Sequence, residues 1–161
     1  MAKEFSAGAV IFRKDSAGTQ YLLLHYPSDS KTKKEYWDFA KGHQEAGEAE
    51  LDTVLREVFE ETGLQNVRIL PNFRETIQYY FKAKGKTVFK TVVFYLGETK
   101  EKTIRISSEH QGFLWLPFEG AMTYLKFANA KKILTKAHRF LSSVPLRQSL
   151  RTQRGSLRES R

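Results

Sequence analysis

The chain reads Gly42-His43-Gln44-Glu45-Ala46-Gly47-Glu48 and, seven residues further on, Arg56-Glu57-Val58-Phe59-Glu60-Glu61-Thr62-Gly63-Leu64. The second half makes chemical sense as a helix. Positions i, i+3 and i+4 of an α-helix share a face, so Glu57, Glu60 and Glu61 are expected to project into one small volume. Three anions held together repel one another, and a helix that keeps them there is read as one that holds divalent cations. Mg²⁺ accepts octahedral oxygen ligands and retains waters, so two or three carboxylates plus substrate phosphates form a natural shell. Such ions polarise a phosphoanhydride and activate a water. On the opposite face Leu51, Val54, Leu55, Val58 and Phe59 recur at helical spacing and are expected to bury against a sheet. Gly63 stands where a left-handed C-terminal cap is wanted, and Gly47-Glu48 marks the start.

Around this core the chain alternates apolar strands and turns. Strands are expected at Phe5 to Arg13, Tyr21 to Tyr26, Tyr36 to Phe39, Val67 to Leu70, Arg74 to Phe81, Thr87 to Gly97 and Gly112 to Leu116. Turns fall at Asp15-Ser16-Ala17-Gly18 and Lys82-Ala83-Lys84-Gly85-Lys86, a polar loop at Pro27 to Glu35, and a last helix at roughly Ala128 to Leu141. Strands interleaved with two helices give an α/β (α+β) fold, a mixed β-sheet sandwiched between α-helices.

The Gly42–Leu64 stretch matches the Nudix box, G-x5-E-x7-R-E-U-x-E-E-x-G-U, at every specified position. An ordinary acidic helix accounts for Glu57 and Glu61, but not for Gly42, Glu48, Arg56 and Gly63 at the same time. Further segments narrow the resemblance. Ser6-Ala7-Gly8-Ala9-Val10-Ile11-Phe12-Arg13, Tyr21-Leu22-Leu23-Leu24, Trp37-Asp38-Phe39-Ala40-Lys41-Gly42-His43, Lys90-Thr91-Val92-Val93-Phe94-Tyr95-Leu96, Glu109-His110-Gln111 and His138-Arg139-Phe140-Leu141 together resemble the asymmetrically cleaving diadenosine tetraphosphate hydrolases over about residues 4 to 141. Ala40 stands where that family usually has proline, so the loop lacks one fixed φ but no chemical group.

The resemblance implies a Nudix fold and hydrolysis of diadenosine tetraphosphate to ATP and AMP by water attack at phosphorus, with Mg²⁺ or alternatively Mn²⁺ as cofactor. It implies Glu57, Glu60, Glu61 and Glu109 as metal ligands. Arg56, Glu57, Glu60 and Glu109 form the catalytic group, with the identity of the general base open, and Glu48 supports the loop or, through water, the metal. Lys41, His43 and Lys90 are expected to meet phosphate, and Tyr80 and Phe127 to stack adenine. Other Nudix chemistries share the box: RNA 5′-end pyrophosphohydrolysis, and hydrolysis of nucleoside triphosphates or diphosphoinositol phosphates. A non-catalytic nucleotide-sensing domain is the alternative of another class. Such a domain would typically have lost box carboxylates, and none is missing here.

Composition bounds these readings. With 161 residues and 40% hydrophobic content the chain is long enough for one core. The absence of cysteine excludes disulfides, zinc–thiolate sites and thiol nucleophiles. No apolar run approaches the roughly 18–20 residues of a membrane span. A cytoplasmic, monomeric enzyme acting on a small dinucleoside polyphosphate is the expectation. The net charge is +9, which suits polyanionic partners. Residues 1–141 are read as the hydrolase domain and 142–161 as a basic tail. Arginines at 147, 151, 154, 158 and 161 would align on one helical face for RNA or another acidic partner. Gly155, Pro145 and six serines or threonines favour a disordered extension instead.

Overall fold

A computed structural model describes residues 1–28 and 34–143. The polar loop's residues 29–33 and nearly all of the basic tail, residues 144–161, lie outside the described residues, and with them the tail's expected disorder.

β1 (Ala2–Asp15) is the axis of the fold. It runs parallel to β7 (Lys86–Glu98) along almost its whole length, from Ala2 opposite Val88 to Phe12 opposite Glu98. Its other edge is shared between two strands. β4 (Ala40–His43) takes the first half, with Ser6 opposite His43 and Ala9 opposite Ala40, and β2 (Gly18–Tyr26) takes the second half. β7 is shared in the same way by the long hairpin strand β6 (Glu75–Ala83) and the short β5 (Arg68–Ile69). β3 (Tyr36–Asp38) and β8 (Gly112–Leu116) both pair with β2, completing an eight-stranded mixed sheet. The sheet therefore forks at β1, and the loop from Gly42 to Glu48 leaves from the fork.

The helices cover opposite faces. α1 (Glu50–Thr62) lies over Ala7, Ala9, Ile11, Leu22 and Leu24. α3 (Ala128–Ser143) and the short α2 (Phe118–Tyr124) cover Val10, Phe12, Tyr21, Leu23, Val92, Phe94 and Leu96. This alternation is the period-two reading of strands buried on both sides. β4 and α2 are additions to the elements the sequence predicts. α1 ends as expected: Gly63 takes φ 77° and its N–H donates to the Phe59 carbonyl.

The apolar stripe of α1 is narrower than the sequence suggests. Val54 and Val58 are fully buried, but Leu51, Leu55 and Phe59 are exposed, at 44%, 43% and 41%. One helix lying on a sheet buries only the residues that point straight down, and Thr53, Glu61 and Thr62 occupy the rest of that stripe. The acidic side of α1 is thus not opposite the core side, as its spacing suggested. It overlaps it.

Small residues in β1 allow this close layering. A Cβ on Gly8 would collide with the Ala40 carbonyl and lie 2.6 Å from the Lys41 Cβ. Gly8→Val is therefore expected to cost about 1–3 kcal/mol by overpacking, read as a lowered urea midpoint with an unchanged m-value.

Candidate active site

The Glu57 carboxylate sits directly against the Cα of Gly42, where any Cβ would overlap it. Gly42 and Glu57, fifteen positions apart in sequence, are thus one unit: the loop lies flat because it has no side chain there. Arg56 clamps the other side. Its Nε and Nη2 donate to Glu48 at 2.7 and 3.0 Å, Nη1 donates to Glu57 at 2.8 Å and to Glu60 at 3.3 Å, and Nη2 also reaches the His43 carbonyl at 2.9 Å. The arginine ties both ends of the loop to the helix while offsetting the negative charge beside it. Glu48 also accepts from the Thr53 hydroxyl and the Glu45 N–H. These bonds, that from Arg56 above all, hold its pKa down to about 2. Glu48 is therefore a brace for the loop, as expected.

The remaining glutamates part company. Successive helical residues are about 100° apart, so Glu60 and Glu61 cannot point the same way. Glu60 is half-exposed and leans on Arg56. Glu61 is 5% exposed, accepts the Lys41 N–H at 3.3 Å and lies 3.7 Å from His110 Nε2. Burial, and then the Glu57 charge, push the Glu61 pKa up to about 8, and burial also raises Glu57. Glu109 enters from the loop before β8, and its charge acts on both Glu57 and Glu61. The structure thus brings together Glu57, Glu61 and Glu109, with Glu60 on the rim. Among the described residues no three acidic or histidine side chains converge on one point as ligands already in place. Desolvated, mutually repelling carboxylate oxygens are nevertheless the donor set that a hard divalent cation neutralises, and the residues fit such an ion.

Next to the acids lies a cationic shelf on the α3 face of the sheet. Lys90 is 7% exposed, with Nζ 2.6 Å from Ser6 Oγ, 3.4 Å from Glu4 and 3.5 Å from His43 Nδ1. Burial lowers its pKa against the pull of Glu4. Lys41 Nζ is held 3.0 Å from the buried Asp38 carboxylate, which overcomes the penalty of burial and keeps the lysine charged. Lys41, His43 and Lys90 thus stand together on one face of the sheet.

The aromatic expectations divide. Phe127 is 51% exposed, edge-on to Tyr36 at 5.4 Å, and Tyr36 stacks on Tyr26 at 4.9 Å. Tyr80 is on the other side of the sheet. Tyr79 is the residue opposite Lys90 in the hairpin, and its hydroxyl acts electrostatically on Lys41. Tyr79 therefore faces the shelf and Tyr80 faces away, a correction of one position that reverses a strand residue's side. The turn held the missing signal: Lys84 and Gly85 both have positive φ, at 52° and 75°. A two-residue loop of that kind sets Ala83 opposite Lys86, and hence Tyr79 opposite Lys90. Asp38, Tyr36 and His110 were also missed as site residues. His110 is buried, bonded to Ser107 Oγ through Nδ1, with Nε2 unpaired toward Glu61.

The sequence model of the family described as NUDIX domain matches residues 3–137. The asymmetrical bis(5′-nucleosyl)-tetraphosphatase of Mus musculus is 36% identical over 150 residues, covering 87% of this chain and 97% of the relative. That of Caenorhabditis elegans is 31% identical over 142 residues, with coverage of 85% and 96%. Among solved structures, a binary complex of the C. elegans Ap4A hydrolase superposes with a TM-score of 0.71 at 28% identity, over 87% of this chain and 98% of that one.

Because the folded Glu61 keeps its proton up to about pH 8 while an unfolded glutamate releases it near 4.5, its contribution to stability is full below pH 4.5 and falls as pH rises towards 8. In the presence of chelator, wild-type protein should therefore lose stability between pH 5 and 8.5 relative to Glu61→Gln. The difference is expected to be on the order of 4 kcal/mol, measured by urea titration at each pH.

Proposed function

The chain belongs to the NUDIX domain family and is a Nudix hydrolase, and on that premise we propose that it cleaves dinucleoside tetraphosphates asymmetrically, converting diadenosine tetraphosphate to ATP and AMP. The observation that carries this reading is the juxtaposition of Glu57, Glu61 and Glu109 with Lys41, Lys90 and His43, bordered by Tyr79, Tyr36 and Phe127. Anion, cation and aromatic wall stand in the order in which a polyphosphate joined to a nucleoside presents its parts. The similarity to asymmetrical tetraphosphatases along nearly the whole of their length supports the same substrate class.

Nudix hydrolases generally use divalent metals. In this chain Glu57, Glu61 and Glu109 would hold Mg²⁺, or Mn²⁺ in its place, with Glu60 at the rim. The ion supplies charge withdrawal from the phosphoanhydride oxygens and a more acidic water. The protein's own side chains do the rest. Lys41 and Lys90, fixed by Asp38 and Ser6, meet the phosphate charge from donors already in place, which is where electrostatic stabilisation is most effective. Phe127 and Tyr79 flank the base. Water attacks phosphorus, the bridging P–O bond breaks towards the departing nucleotide, and the water's proton passes to a carboxylate of the Glu57, Glu60 and Glu109 group. Arg56 keeps the loop flat on the helix throughout.

Two measurements test this. Hydrolysis in ¹⁸O-labelled water should release ATP and AMP together, with the label in only one of the two. Turnover of diadenosine tetraphosphate should far exceed that of 5′-triphosphorylated RNA, nucleoside triphosphates or diphosphoinositol phosphates. Glu57→Gln should lower kcat by about 10²-fold or more with the melting curve retained, and unchanged turnover would contradict the ligand assignment. Tyr79→Ala should raise KM for diadenosine tetraphosphate more than it lowers kcat.

A further inference from the structure

The face of the sheet that Tyr80 looks onto is used by none of this chemistry. Rows of side chains run across β6, β7 and the start of β1, fixed by strand register: Gln78, Thr91 and Phe5; Tyr80, Phe89 and Lys3; and, on β6 and β7 alone, Lys82 and Thr87. α1 covers the same face only further along, over Ala7 and Ala9. The rows beyond it are open: Tyr80 is 64% exposed, and Lys3, Gln78, Lys82 and Thr87 are all exposed. Tyr80 and Phe89 lie side by side with ring centroids 4.9 Å apart and a 41° tilt, Tyr80 well exposed and Phe89 partly so. Lys3 flanks the pair on one side and Lys82 on the next row, and Lys84 and Lys86 crown the turn beyond. No carboxylate stands in the three rows; Glu4, the nearest in sequence, points to the other face with Lys90.

We propose that this open face of β6, β7 and β1 binds single-stranded RNA, with neighbouring bases stacked on Tyr80 and Phe89 and backbone phosphates held by Lys3 and Lys82. Adjacent aromatic rings on an open sheet, interleaved with lysines and without acids, match a strand that carries flat bases and one negative charge per residue. An apolar protein partner would leave the lysines unpaired, and an acidic peptide would leave the rings unused. Gln78 and Thr91, 3.5 Å apart beside the rings, supply donors and acceptors for ribose hydroxyls. The cross-strand pair also stabilises the hairpin, but that role needs neither the flanking lysines nor so exposed a ring as Tyr80. The proposal is independent of which polyphosphate the opposite face cleaves.

The test is fluorescence anisotropy of the full chain with a labelled single-stranded RNA of about ten nucleotides, one base stacking per ring. Wild-type protein, Tyr80→Ser and the double variant Lys3→Ser/Lys82→Ser are compared, with circular dichroism to confirm that each is folded. RNA is expected to bind, with Tyr80→Ser weakening the complex by about 5- to 150-fold. The double lysine variant should flatten the salt dependence by roughly 1.4 in log–log slope. Several outcomes overturn the proposal. These are no binding up to roughly 100 µM RNA, binding unchanged in both variants because the arginine-rich last twenty residues carry it, and tighter binding of duplex or of DNA of the same sequence. A Tyr80→Ser variant that loses diadenosine tetraphosphate hydrolysis while keeping RNA affinity also overturns it, by returning the residue to the substrate pocket.

Discussion

A carboxylate pressed against a glycine is the contact on which the rest of this molecule depends. Glu57 can lie against Gly42 only because β4 has no side chain there, and β4 sits close beside β1 because its neighbour is built from Ser6, Ala7, Gly8 and Ala9. The small residues of the first strand are thus a condition for the acids of the helix. Arg56 makes the same joint electrically tolerable, since its guanidinium reaches Glu48, Glu57 and Glu60 at once. Burying one member of such a network without its partners is costly, which explains why loop and helix carry matched residues over so short a stretch.

The forked sheet then brings opposite charges together without letting them cancel. β4 delivers Lys41 and His43 to the α3 face while its Gly42 meets the α1 side, because neighbouring strand residues point in opposite directions. Lys90 comes to the same shelf from β7. Each lysine has its own local anion, Asp38 for Lys41 and Glu4 for Lys90, so neither collapses onto Glu57 or Glu61. The acids remain underneutralised and the shelf remains cationic. That separation of charge is what a polyphosphate chain with bound cations can bridge.

The residues of the box, the cap at Gly63 and the positions of the long strands were legible because each rests on a local rule: helical spacing, a left-handed turn, or alternation. What was not legible depends on a third body. The exposure of Leu55 and Phe59 follows from there being, among the described residues, only one helix on that side of the sheet, which spacing within the helix cannot reveal. The divergence of Glu60 from Glu61 was available from helical geometry, but the motif's familiarity hid it. The expectation at Tyr80 rests on resemblance, whereas the Lys84-Gly85 turn fixes the parity that sets Tyr79 opposite Lys90. Asp38 gave no signal, since its importance lies wholly in standing 3.0 Å from Lys41.

The pairing of β1 with β7 also bears on how the protein comes into being. Ala2 to Phe12 leave the ribosome well before their parallel partner, Val88 to Glu98, and no helical turn or hairpin can stand in for it. Everything from β2 to β7 must be synthesised before the central ladder can close, and non-local parallel pairing is slow even then. Until that moment Val10, Ile11 and Phe12 form an uncovered apolar strand in the nascent chain. The architecture that creates the active-site fork thus carries an interval of exposure during biosynthesis, in which β2 is the neighbour able to shield β1 earliest.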